Sequence, residues 1–219
     1  MFNIEAGQWG VFRVPRKART RLERDARNRE RVQEPFRSGM DHLLTSRTMK
    51  TLILVRHAKS SWKDRSLPDP MRPLNKRGRR DAPLMGQRLA EQATDVELMI
   101  ASPAVRAMET AEAMAEELDY PWDEIVADER LYHADPEDIL VVIEEQDPWV
   151  DHLMLIGHNP GMTSLVNGLT RTNLDNVPTA GVVKLTYDVE RWIDIASARP
   201  LHVLFDYPKK RRQEAEGAH

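Results

Sequence analysis

Residues Leu52-Ile53-Leu54-Val55-Arg56-His57-Ala58-Lys59 decide how this chain is read. Thr51 to Val55 is a short β-favouring run, the pattern of a strand buried on both faces of a sheet. It stops abruptly at Arg56-His57. In open α/β sheets such strand ends deliver residues into a ligand crevice. An arginine beside a histidine there suits phosphate: the guanidinium offers a fork to phosphate oxygens, and the imidazole can attack phosphorus. Working outward, two more segments set polar residues beside an apolar run. They are Ala101-Ser102-Pro103-Ala104-Val105-Arg106 and Leu155-Ile156-Gly157-His158-Asn159-Pro160-Gly161.

The rest of the chain alternates strands and helices. Helical spacing over Lys76–Ala93 puts Ala82, Met85, Leu89 and Ala93 on one face, with Pro83 inside it. Strands follow at Glu97–Ala101, Ile125–Ala127, His152–Gly157, Gly181–Tyr187 and Leu201–Phe205. Helices are expected over Ala104–Leu118, with Ser102 as N-cap, over Asp135 to Glu145, and from Pro160 to Leu169. This alternation predicts an α/β fold, a three-layer α/β/α sandwich. Neither G-x-x-x-x-G-K-[ST] nor G-x-G-x-x-G occurs, so nucleotide-loop readings lack support.

Together the three segments resemble the histidine phosphatase superfamily, in particular its small SixA-type phosphohistidine phosphatase branch. The matches are Arg56-His57-Ala58, Ser102-Pro103-Ala104-Val105-Arg106 and Gly157-His158. Arg72-Pro73-Leu74-Asn75-Lys76-Arg77-Gly78 and Leu131-Tyr132 also look like this branch. The resemblance covers about Met49 to Lys209. It implies a phosphoglycerate mutase-like fold with a mostly parallel central sheet. About 50 residues separate His57 from Arg106, and Arg106 from His158, which leaves little room for a large cap domain. An open, shallow site would admit a phosphorylated side chain of a protein.

The resemblance also implies roles. His57 attacks phosphorus and becomes phosphohistidine, which water then hydrolyses. Arg56, Arg106 and His158 hold the phosphoryl oxygens, with Ser60, and also Lys63, as neighbours of the phosphate site. Ala58 stands where the family usually has glycine, which strains the backbone only at positive φ. Acid phosphatases of the superfamily place Asp where Asn159 stands, and mutase-like members place Glu where His133 stands. Neither usual acid is present, which suits a leaving group needing little help, such as the imidazole of phosphohistidine. His133 is a candidate weak acid. Asp64 and Asp69 read as loop-capping residues.

The expected activity is therefore a metal-independent phosphatase acting on phosphohistidine in a protein of the histidine phosphotransfer type. The alternatives are a small-molecule phosphomonoesterase of the same superfamily and a non-catalytic phosphate-binding regulatory module. No cofactor and no metal is expected, since no carboxylate cluster suggests one. The 219 residues include no cysteine, which excludes disulfides and thiolate metal sites. No apolar run suffices for a membrane span, and no signal-peptide core opens the chain, so a cytoplasmic location is expected. The net charge of −3 is uneven. Residues 1–48 carry 11 Arg and Lys against 6 Asp and Glu, a net of +5, which leaves −8 for the remainder. A basic arm of this kind can bind nucleic acid. Mixed charges without an apolar stripe instead suggest a solvated or disordered extension, or a start at Met49. The expected organisation is an extension over 1–48, a phosphatase domain over 49–209 and a charged tail over 210–219.

Overall fold

The computed structural model describes residues 49–210. The expectations for the extension over 1–48 fall outside the described residues. Of the expected tail only Lys210 is described, its Nζ donating to the Phe205 carbonyl at 2.8 Å.

Six strands form one sheet in the order β3-β2-β4-β1-β5-β6. They are β1 (Lys50–Arg56), β2 (Leu98–Ala101), β3 (Val126–Ala127), β4 (His152–Gly157), β5 (Val182–Tyr187) and β6 (His202–Asp206). The pairs β3-β2, β2-β4 and β4-β1 are parallel, while β5 runs antiparallel to both β1 and β6. Helices α1 (Lys76–Ala90), α2 (Val105–Glu117), α3 (Pro136–Glu144) and α4 (Gly161–Thr170) supply the crossovers.

The side-chain alternation of β1 builds the three layers. Ile53 and Val55 join Met85, Leu89, Ala107, Ala111 and Met114 in a core beneath α1 and α2. Leu52 and Leu54 join Ile139, Val142, Ile143, Leu165 and Val166 beneath α3 and α4. Both faces of the strand are thus covered, which explains its unbroken apolar run. The expected sandwich with a mostly parallel sheet is the observed one, and no large cap interrupts it among the described residues.

Two local expectations fail. Helix α1 ends at Ala90, so Ala93 is not on its buried face; it is exposed at φ 49° in the turn that follows. Ser102 does not cap α2, whose N-cap is Ala104 without a side-chain bond. The Ser102 hydroxyl is fully buried and pairs with His158 Nε2 at 2.8 Å instead. A buried hydroxyl gains more from a ring nitrogen at that distance than from the Ala104 amide at 3.4 Å.

The base of β1 is held by a buried ion pair. Lys50 is fully buried and donates from Nζ to Asp151 Oδ1 at 2.7 Å and to the carbonyls of Val150, at 2.9 Å, and Pro148. Removing one partner of such a pair strands a charge, typically at a cost of about 3–5 kcal/mol. Asp151→Ala is therefore expected to lower the melting temperature by on the order of 10 °C. An unchanged melting temperature would show that the Val150 and Pro148 carbonyls or water satisfy Lys50 without the carboxylate.

Candidate active site

The parallel register assembles the site. Arg56 pairs with Gly157 across β1 and β4, and Ala101 pairs with Ile156 across β2 and β4. Three adjacent strands therefore end at the same level. Their next residues continue the ladder: His57 N–H donates to the Gly157 carbonyl at 3.0 Å, and Ser102 N–H to the Ile156 carbonyl at 2.9 Å. His57 and His158 come together with ring centroids 4.9 Å apart. Arg106 enters from the first turn of α2.

His57 is held in one tautomer. Its Nδ1 lies 2.7 Å from the Ala58 carbonyl, which can only accept, so Nδ1 carries the hydrogen and Nε2 keeps its lone pair. Burial lowers the pKa of His57, the Ala58 bond opposes this, and the charges of Arg106, Arg56 and Arg72 push it down further, to about 4. Ala58 takes no positive φ, so the missing glycine costs nothing there. Thr110, unnoticed in the sequence, locks this turn. Its hydroxyl accepts from Ala58 N–H at 3.0 Å and donates to the Arg106 carbonyl at 2.6 Å, one helical turn away.

His158 is buried, with Nε2 on Ser102 and Nδ1 3.4 Å from Arg106 Nη2. Burial, then the charges of His57, Arg106 and His133, lower its pKa to about 3. It is therefore neutral near pH 7, and Nδ1 is the nitrogen left to take a proton when an anion binds. Gly161 permits the close packing that sets this histidine: a Cβ there would lie 2.1 Å from the Ala134 carbonyl.

Arg56 binds the following loop through Nη1, which donates to Asn176 Oδ1 at 2.9 Å and to the Val177 carbonyl at 2.8 Å. Its Nε is buried without a partner. Asn159 uses the same two acceptors through Nδ2, at 2.7 and 3.2 Å. It anchors that loop. Ser60 stands one step back, its hydroxyl accepting from Arg72 Nη2 at 2.8 Å. His133 lies at the mouth, its side chain 64% exposed and its backbone at φ 54°. Lys63 is exposed, and no contact links its side chain to the site. Asp64 is a loop cap as expected, accepting from Ser66 N–H and Oγ–H.

Asp69 departs from its expected role. Its carboxylate accepts from Arg72 Nη1 at 2.7 Å, Arg106 Nη2 at 2.9 Å and Tyr132 Oη at 2.9 Å. Burial favours the acid form, but the bonds from Tyr132 and Arg72 and the charge of Arg106 prevail and hold its pKa down to about 2. Arg72 is the other residue that sequence reading did not place in the site. It is buried, with its guanidinium 3.2 Å from the Trp62 ring centroid. The only signal for it was the Arg72–Gly78 segment. The Ser60–Leu74 bridge brings that segment beside His57, a closure that no periodicity reveals. Arg56, Arg72 and Arg106 against Asp69 leave two net positive charges, which matches a phosphoryl dianion. Among the described residues no group of three or more His, Cys, Asp or Glu is arranged to hold a metal ion. No helix among them is long and apolar enough to cross a membrane.

The low pKa of His57 has a kinetic consequence. A histidine can attack phosphorus only in its neutral form, and in the fold the neutral form of His57 persists well below the ordinary imidazole value of 6.5. We expect kcat/KM, corrected for the substrate's own ionisation, to hold down to about pH 5, whereas an ordinary histidine would titrate near 6.5. An acid limb centred near 6.5 would show that His57 is not shielded in this way. The linkage runs the same way for stability. A pKa lowered in the fold makes acid destabilising, with the loss setting in as pH falls below 6.5 and continuing towards about 4.

Comparison with known proteins agrees with this geometry. The family model for the histidine phosphatase superfamily (branch 1) matches residues 52–139. An uncharacterized chloroplastic protein of Arabidopsis thaliana is 39% identical over 87 residues; the match spans 39% of this chain and 40% of that protein's length. The structure of a candidate phosphohistidine phosphatase SixA from Agrobacterium tumefaciens superposes with a TM-score of 0.60 at 26% identity, covering 71% of this chain and 97% of that one. A second structure, reported as a candidate phosphohistidine phosphatase SixA of Nakamurella multipartitia, shares the fold with a TM-score of 0.62 at 22% identity, covering 73% of this chain and 96% of that one. The strand-end Arg56-His57 pair and Arg106 fall within the matched residues, and over residues 52–139 the chain is similar to the histidine phosphatase superfamily (branch 1).

Proposed function

We propose that this protein is a metal-independent phosphatase that removes the phosphoryl group from phosphohistidine in a protein, by way of a phosphohistidine intermediate on its own His57. The observation that carries this reading is the hydrogen bond between His57 Nδ1 and the Ala58 carbonyl, which leaves Nε2 free as a nucleophile among the arginines. Nε2 attacks phosphorus as the leaving group departs on the opposite side. Arg56 and Arg106 neutralise the equatorial oxygens, where the transition state spreads its charge. His158 takes a proton on Nδ1 as the dianion arrives and donates it as a hydrogen bond to the same oxygens. Arg72, steadied by Ser60 and Trp62, adds charge at the rim. Water then hydrolyses the phosphoenzyme.

The choice of substrate rests on the leaving-group side. Asn159 is turned to the 176–177 loop. Asp69 is ionised and so cannot donate a proton. His133 is the one remaining candidate acid there, and a weak one. An imidazole leaving group needs no strong acid, and the likeness to SixA-type structures supports the same choice. A histidine phosphotransfer protein would present such a side chain to an uncapped site. The test is a profile of kcat/KM over a phosphohistidine peptide, p-nitrophenyl phosphate and sugar phosphates, each with and without EDTA. The peptide is expected to lead, and chelation to change nothing. A loss on chelation that Mg²⁺ or Zn²⁺ restores would overturn the metal-free mechanism, and a leading sugar phosphate would make this a small-molecule phosphomonoesterase.

A further inference from the structure

At the mouth of the site a carboxylate lies where the preceding mechanism uses none. Asp69 comes from the loop between β1 and α1, and its side chain is 38% exposed. The groups facing it are Arg72 on its own loop, Arg106 on α2, Tyr132 and His133 after β3, and, by its charge, His158 after β4. Arg106 ties the buried and the exposed groups together. Its Nη2 meets both the buried His158 Nδ1, at 3.4 Å, and Asp69 Oδ2, at 2.9 Å, while its Nη1 donates to the Asp69 main-chain carbonyl. In-line displacement from the half-buried His57 sends the leaving atom outward, to the side where Asp69, Tyr132 and His133 lie. A carboxylate accepts about four hydrogen bonds, and the side-chain donors present here are Arg72 on Oδ1 with Arg106 and Tyr132 on Oδ2. Oδ1 therefore keeps acceptor capacity. His133 Nε2 lies 3.7 Å from Oδ2, the oxygen that already has two donors, so Oδ1 is the one left for a ligand's N–H.

We propose that Asp69 is the specificity-determining residue for a phosphoramidate leaving group: its carboxylate accepts a hydrogen bond from the distal ring N–H of the substrate's phosphohistidine and holds that ring in its protonated form. This rests on the functional reading above. The step balances without a proton donor in the enzyme. The His57 Nε2 lone pair forms the new N–P bond. The old P–N bond breaks, and its electron pair returns to the ring nitrogen. Because the distal nitrogen already carries its hydrogen, the imidazolium substrate leaves as neutral imidazole. A free phosphohistidine ring loses that distal proton as pH rises through the imidazole range; an adjacent carboxylate extends the reactive form to higher pH. Such a carboxylate does nothing for an alkoxide or phenolate leaving group, which has no N–H to offer. Its charge also opposes binding of the phosphoryl dianion itself.

The decisive experiment compares Asp69→Asn with the full-length parent on a phosphohistidine peptide and on p-nitrophenyl phosphate, with inorganic phosphate as inhibitor. The substitution is isosteric and keeps an oxygen for Arg106. The ratio of kcat/KM for the peptide to that for the aryl phosphate is expected to fall about 10- to 100-fold, the worth of one charge-assisted hydrogen bond. Inhibition by phosphate is expected to tighten in the same variant, because one negative charge is lost. The alkaline limb of the peptide's kcat/KM should move to lower pH, and Asp69→Glu should restore part of the ratio. If both substrates lose the same factor and phosphate binds more weakly, Asp69 merely orients Arg106 and the inference is wrong. A variant that unfolds leaves the parent's alkaline limb as the test: a fall-off at the ordinary imidazole pKa would overturn the inference. A parent that ignores the phosphohistidine peptide overturns the functional reading, and this inference with it.

Discussion

His57→Ala is expected to abolish hydrolysis, with kcat falling by on the order of 10⁴ or more, as removal of a covalent nucleophile does elsewhere. The alternative roles for this side chain predict far less. A histidine that only hydrogen-bonded the phosphate would cost about 10²–10³. The fold should survive, because the side chain is half-buried at a strand end and its one bond is to the Ala58 carbonyl, which water can satisfy. Circular dichroism and melting temperature serve as controls. Acid-labile labelling from a ³²P substrate should appear in the parent and vanish in the variant. Residual activity above about a tenth of the parent would sink the assignment, since no missing nucleophile is that well tolerated. Water would then be attacking the substrate directly, with His57 as a binding group.

How much of this was legible in the sequence follows from where each residue sits. Arg56, His57 and His158 end or follow strands, and Arg106 lies in the first turn of the helix after another. In an open α/β sheet the position of such residues is fixed by the strand pattern, so the apolar runs located them. The tautomer of His57 was not legible, because its partner is a main-chain carbonyl that every residue possesses. Arg72 and Asp69 arrive through the path of a loop, and Tyr132 through a short turn (Glu129–Leu131) whose direction has no periodic signal. Ser102 and Asp69 were misread for a common reason. Each has a short polar side chain beside a turn or helix start, where local capping is the usual role. In both cases a distant partner won: buried His158 for the hydroxyl, and Arg106 with the Tyr132 phenol for the carboxylate. Long-range competitors of that kind are invisible to reasoning from neighbours in sequence.

The substrate preference should be large as well. A phosphohistidine peptide is expected to exceed any alkyl phosphomonoester in kcat/KM by at least about a hundredfold. The reason is the difference in what must be protonated. An alkoxide leaving group depends on a general acid, typically worth about 10²–10⁴ in rate. Each position that could provide one is otherwise engaged or weak. Asn159 is an amide tied to the 176–177 loop, Asp69 is held ionised near a pKa of 2, and His133 offers only an exposed imidazole. Tyr132 keeps its hydrogen, since burial and the Asp69 bond raise its pKa, and it spends that hydrogen on the carboxylate. An alkyl phosphate therefore suffers the deficit in full, while a protonated imidazole departs without help. p-Nitrophenyl phosphate, whose phenolate is stable, should fall between the two. That ordering separates leaving-group chemistry from simple recognition: a site that selected by shape alone would rank the aryl and alkyl esters by fit. Comparable rates on the peptide and a sugar phosphate would mean that His133 works as a competent acid, and His133→Asn should then abolish the alkyl activity while sparing the peptide.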